Sequence, residues 1–70
     1  MLRINSVEKI ASWVRKNGPF MLTNKKIVSG NELLKMGDKA HILHIRGRRE
    51  GTLYFIEGGR FFKSVEFTTR

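Results

Sequence analysis

The sequence predicts a small α+β fold. One N-terminal amphipathic helix packs on a mostly antiparallel sheet that ends in a three-stranded meander, with a second short helix before the meander. Three observations carry this expectation. Apolar residues recur at helical spacing over residues 7–14, Ser29-Gly30-Asn31-Glu32 has the form of a second helix start, and the last thirty residues fall into three apolar runs divided by glycine turns.

The elements follow in order. Leu2 and Ile4 alternate with Arg3, the pattern of a short terminal edge strand. A helix over about residues 6–17 comes next. Asn5 or Ser6 can cap it, and Asn5-Ser6-Val7-Glu8 has capping-box spacing. Val7, Ile10, Ala11 and Val14 form its apolar face, with Trp13 to one side. Arg15 and Lys16 suit the negative end of the helix dipole, Gly18 suits a C′ position, and Pro19 prevents continuation. Phe20–Thr23 and Lys26–Ser29 are expected to form a small hairpin around a two-residue Asn24-Lys25 turn. The Ser29–Glu32 capping box then opens a helical turn through Met36, with Leu33, Leu34 and Met36 as its apolar contacts and Gly37 as its stop.

The meander is expected over His41–Arg46, Thr52–Glu57 and Phe61–Thr68, with turns at Gly47–Gly51 and Gly58-Gly59. A five-residue Gly47–Gly51 loop pairs Arg46 with Thr52, Ile45 with Leu53 and Leu43 with Phe55. Those four apolar side chains then share the core face, and His44 sits beside Tyr54 on the other. For the last strand, a two-residue glycine loop pairs Phe55 with Phe62, whereas a three-residue loop pairs Phe55 with Lys63 and Leu53 with Val65. The second gathers more apolar mass. It sends Phe61, Val65 and Phe67 to the core and leaves Phe62 beside Ile56. A slip of one residue inverts every assignment.

Composition bounds the function. The chain has 70 residues, no cysteine and a formal net charge of +8, from fourteen Lys and Arg against six Asp and Glu. Mass scaling gives a folded surface of roughly 4,500 Å² from about 11,700 Å² unfolded, or roughly 60% buried. That suffices for one small basic domain over residues 1–70 and excludes an enzyme cleft between two domains. Without cysteine there is no disulfide and no thiolate zinc site. No apolar run reaches transmembrane length, and MLRINSVEKI lacks a signal-peptide core, so a cytoplasmic location without membrane partners is expected. The basic surplus creates a positive field whose natural partner is a polyanion: nucleic acid first, DNA or RNA, and an acidic protein second.

The strongest local signal is Arg46-Gly47-Arg48-Arg49, with three guanidiniums that can fork onto phosphate beside a glycine that admits close backbone approach. The bland alternative is a solvated turn. The expected outer sheet face carries Ile42, His44, Arg46, Tyr54, Ile56 and Phe62. There His44, Tyr54 and Phe62 can contact bases while Arg46 and Arg60 hold phosphates. Lys25 and Lys26 add a further basic pair. His41 and His44 are the only histidines, and alternation along a strand sends them to opposite faces, so neither metal nor cofactor is expected.

Three functional classes are therefore open. The first is a regulatory nucleic-acid-binding protein using Arg46, Arg48, Arg49, Arg60, Lys25 and Lys26 on phosphates. The second is a metal-independent ribonuclease drawing on His41 or His44, Glu57, and Arg46 or Arg60. The expected terminal meander is similar to that of small basic bacterial mRNA-cleaving toxins, which usually have a longer helical half and whose motifs this chain does not share. The third is a basic module that docks on an acidic protein, or a homodimer through an exposed strand edge, with Trp13 as the anchor if it lies exposed beyond the helix's core stripe. The helix–strand–helix–hairpin order is also similar to that of winged-helix domains, but residues 20–37 are too short and glycine-punctuated for a full recognition helix.

Overall fold

The computed structural model describes residues 2–36, 40–47 and 49–69, and of Glu57 the backbone alone. The elements are β1 (Leu2–Ile4), α1 (Val7–Asn17), β2 (Phe20–Leu22), β3 (Ile27–Val28), α2 (Gly30–Leu34), β4 (Ala40–Arg46), β5 (Glu50–Glu57) and β6 (Arg60–Thr69). The strands form one antiparallel sheet in the order β1-β4-β5-β6-β2-β3. Both helices pack on one face of it. There Ile10, Val14 and Leu33 join Phe20, Leu43, Leu53, Phe55, Val65 and Phe67 in a continuous core. The fold is thus the expected α+β arrangement. The expected helix stop, Gly37, lies outside the described residues.

Ser6, not Asn5, caps α1: its hydroxyl accepts the Lys9 N–H at 3.4 Å. Glu8 then falls one place short of the capping-box position, and that box does not form. Its charge still faces the positive end of the dipole. Within the expected apolar stripe, Ile10 and Val14 are fully buried and Ala11 is half-buried, while Val7 is exposed at the first turn. Trp13 packs at the rim of the core, its ring 6.0 Å from Phe20 and 6.1 Å from Phe67, which themselves meet edge-on at 4.7 Å. It is a packing residue in this fold rather than a free anchor.

Gly18 ends α1 with its N–H on the Val14 carbonyl at 3.2 Å, but in an extended conformation (φ −67°). The left-handed C′ role expected of it is absent. What its missing side chain provides is room, since a Cβ there would stand 3.0 Å from the Gly30 nitrogen. Gly30 is tighter still: its Cβ would lie 2.5 Å from the Val14 carbonyl oxygen. The two glycines let the start of α2 sit directly on the last turn of α1, and Arg15 Nε ties them by donating to Asn31 Oδ1 at 3.0 Å. The Ser29–Glu32 capping box forms as expected, with both reciprocal bonds present.

Turn chemistry accounts for the other departures. The β2–β3 connection is Thr23-Asn24-Lys25 rather than Asn24-Lys25. Lys25 N–H bonds the Leu22 carbonyl at 2.9 Å, and Lys25 takes a left-handed conformation (φ 68°) that closes a three-residue loop. Asn24 supports it by accepting the Lys26 N–H at 3.0 Å. Between β4 and β5 the pairing is Arg46↔Glu50, Ile45↔Gly51 and Leu43↔Leu53, two residues away from the expected register. Gly51 belongs to the strand because the Phe67 ring fills the space of its side chain; a Cβ there would meet the ring at 2.5 Å. A slip of two preserves side-chain parity, so Leu43, Ile45, Leu53 and Phe55 still share the buried face.

At the last hairpin both considered registers occur, at opposite ends. Gly58 (φ 58°) and Gly59 (φ 78°) make a two-residue turn that pairs Glu57 with Arg60 and Ile56 with Phe61. Nearer the core, Phe55 pairs with Lys63 and Leu53 with Val65, as expected. The difference of one residue is absorbed by a bulge at Phe62. Phe61 is therefore turned out of the core, against expectation, and Phe61 rather than Phe62 stands opposite Ile56. Lys63, on the helix side, is reconciled with that face by donating from Nζ to the Met36 carbonyl at 2.6 Å.

Helix propensity favours alanine over glycine by about 1 kcal/mol, so Gly30→Ala opposes two effects. The contact with Val14 should win, lowering stability by about 1–3 kcal/mol, the usual cost of overpacking. Urea unfolding should show a lower midpoint at unchanged slope, and an unchanged midpoint would contradict the packing described.

Candidate nucleic-acid interface

Because both helices take one face, no helix among the described residues covers the other face of the sheet. Strand alternation sets what it shows: Arg3 from β1, Ile42, His44 and Arg46 from β4, Thr52, Tyr54 and Ile56 from β5, and Glu66 from β6. The bulge adds Phe61, whose ring lies 5.4 Å from that of Tyr54. Arg3 is paired across the strands with His44, and Ile42 with Tyr54. Arg3, Ile42, His44, Tyr54 and Phe61 line a shallow depression of about 300 Å³.

His44 stands opposite Thr52, not Tyr54, as a consequence of the two-residue register difference; His44 and Tyr54 nevertheless line the same depression. Phe62 is exposed at the bulge but outside this cluster. Sequence reasoning missed Arg3 and Phe61 as site residues. The signal for Phe61 was present, since a glycine pair fit for a two-residue turn and a core fit for the longer loop together require one extra residue. The signal for Arg3 was its alternation with Leu2 and Ile4, which turns it away from the helix side once the strand joins the sheet.

The other half of the outer face has a different character. Arg46 Nη1 donates to the buried Thr52 hydroxyl at 2.8 Å, and Nη2 lies 3.8 Å from Glu66 Oε1. Glu50 and Glu66 line a second depression with Arg46, Met21 and Thr68. Arg46 is thus half-buried and engaged within the sheet, rather than an open fork at the turn. Arg49 is exposed beside it, its carbonyl accepting the Thr69 N–H at 2.7 Å. Arg48 lies outside the described residues.

The remaining basic candidates are dispersed. Arg60 opens β6 and Arg49 faces its end, so the ten residues of β6 separate them by on the order of 30 Å. The exposed Lys25 and Lys26 sit on the β2–β3 flank, with β6 between them and the β4–β5 connection. His41 falls at a second bulge, between Ala40 and Ile42, which interrupts the alternation that separated it from His44. No group of three or more His, Asp or Glu suited to a metal occurs among the described residues. No helix among them is long and apolar enough to cross a membrane.

No protein-family model, curated protein or solved structure matches the chain. The site's chemistry therefore rests on its own residues.

Arg46→Ala should cost about 1 kcal/mol of stability by leaving the buried Thr52 hydroxyl without its partner. Thermal or urea unfolding of Arg46→Ala beside Arg49→Ala checks this. Equal stability of the two variants would show that the Arg46–Thr52 bond contributes nothing.

Proposed function

We propose that the protein is a non-enzymatic, cytoplasmic nucleic-acid-binding protein with a regulatory role, contacting its ligand through the uncovered sheet face and the exposed cations around it. The observation that supports this reading is the depression lined by Arg3, His44, Tyr54 and Phe61, with no carboxylate among its described residues, on a chain with a formal net charge of +8. Aromatic rings on an open sheet offer faces to bases, and a basic body attracts the phosphates that connect them.

The dispersion of Arg49, Arg60, Lys25 and Lys26 fits a field that captures a polyanion over a wide area better than one arginine clamp. Arg46 contributes less than its sequence context suggests, because Glu66 and Thr52 already engage its guanidinium. Arg49 carries the phosphate contacts of the β4–β5 connection, with Arg48 next to it in sequence.

Binding should weaken steeply with salt, as counterions are released from each neutralised phosphate. Titrating RNA and DNA across salt concentrations should give a linear log–log dependence. Replacing Arg48 and Arg49 together by alanine should flatten it by about one unit for each phosphate that is no longer neutralised. Weak binding at low salt with no salt dependence would overturn the reading. RNA cleaved in the presence of EDTA would favour the ribonuclease class instead, and a bound acidic protein that survives nuclease treatment would favour the docking module.

A further inference from the structure

We infer that the depression on the uncovered face is a base-stacking site for unpaired nucleotides, so that the protein selects single strands over duplex. The inference rests on the nucleic-acid reading above and assigns it a particular ligand form. Three features of the face lead to it.

The first is the pair of rings. Phe61 is 65% exposed although it is a large apolar side chain, and it leans on Tyr54 with ring centres 5.4 Å apart and planes at 58°. An exposed ring braced by a second ring presents a π-face at little entropic cost, since its neighbour already restricts it. A base can stack on that face only when its own face is free, which a base inside a duplex lacks.

The second is charge. The depression has Arg3 on its wall and, among the described side chains, no acidic one. The adjoining depression holds Glu50 and Glu66 beside Arg46. A phosphate chain is thus attracted to one half of the face and discouraged from the other. This directs it across the strands from Arg3 toward Phe61 and the Arg60 end of β6. The same asymmetry favours a polyanion with flat apolar groups over a purely acidic peptide, which has no rings for Tyr54 and Phe61 to meet.

The third is size. Arg3 on β1 is level with Thr52 and Phe61 on β6 with Ile56, so they are three strand spacings apart across the sheet and four residues apart along it, roughly 20 Å between their backbones. That accommodates two or three stacked nucleotides, the number an open sheet usually takes. A duplex, about 20 Å or more across with its bases inside, meets this shallow surface only through its phosphates.

The test is fluorescence anisotropy of the full chain with labelled oligothymidylate, oligouridylate and a hairpin duplex, at matched salt. The single strands should bind more tightly than the duplex. Phe61→Ala should weaken single-strand binding by roughly fivefold to a hundredfold, the range for losing one stacked base, with an unchanged salt slope. Tyr54→Leu should act in the same direction. Arg3→Ala should instead lower the salt slope by about one. Phe61 is exposed, so circular dichroism of that variant should match the parent. Salt-dependent binding that is equal for hairpin and single strand and indifferent to Phe61→Ala would overturn this inference while leaving the nucleic-acid reading intact. Absence of salt-dependent binding to every nucleic acid would overturn both. Phe61-dependent binding to anionic phospholipid vesicles, without oligonucleotide binding, would assign the rings to a membrane surface and overturn both as well.

Discussion

Phe61 and Val65 lie four residues apart on one strand, yet Val65 is buried under the helices and Phe61 faces outward beside Tyr54. The cause is a conflict between two local demands. Gly58 and Gly59 accept the left-handed conformations of a two-residue turn and fix the pairing at the tip. Leu53, Phe55, Val65 and Phe67 fix it at the base, because each is worth a few kcal/mol only when buried. The two pairings differ by one residue, and the strand accommodates it as a bulge at Phe62. Without the bulge Phe61 would turn inward and Phe62 would stand beside Ile56 in its place, so the bulge decides which of the two phenylalanines the outer face presents.

The helix face sustains this arrangement. A 70-residue chain with no disulfide depends on close packing for its stability. The apposition of Gly18 and Gly30 compresses the two helices onto each other, which lets Leu33 reach the same core as Ile10 and Val14. At the base of the sheet, Gly51 admits the Phe67 ring, which in turn meets Phe20 and Trp13. Both helices are thereby used to close one face, and the other is left to solvent. The polar tie from Arg46 to Thr52 and Glu66 steadies the outer face where no helix covers it.

Much of the fold could be read from periodicity and turn residues. The α1 stripe at Ile10 and Val14, the Ser29–Glu32 capping box and, with ends extended by one or two residues, the three strands of the meander occur where the sequence places them. The core face of β4 and β5 was legible despite a wrong loop length, because an error of two residues leaves parity unchanged. Phe61 was misplaced because an error of one does not. Gly51 read as a loop residue, since nothing local reveals that a ring from a strand far along the chain occupies its vacant side-chain space. Of the candidate site, His44 and Tyr54 were legible from alternation, whereas Arg3 required the pairing of β1 with β4, a contact between distant segments. The engagement of Arg46 by Glu66 was hidden for the same reason.

The proposed ligand surface is the uncovered sheet face rather than the helix face. Amide chemical-shift mapping of the full chain during titration with a single-stranded oligonucleotide distinguishes the two faces. The largest changes should fall on Arg3, Ile42, His44, Tyr54 and Phe61, with α1 and α2 nearly silent. Changes concentrated on the exposed side of α1, at Lys9, Ser12 and Lys16, with the sheet face unmoved, would contradict it.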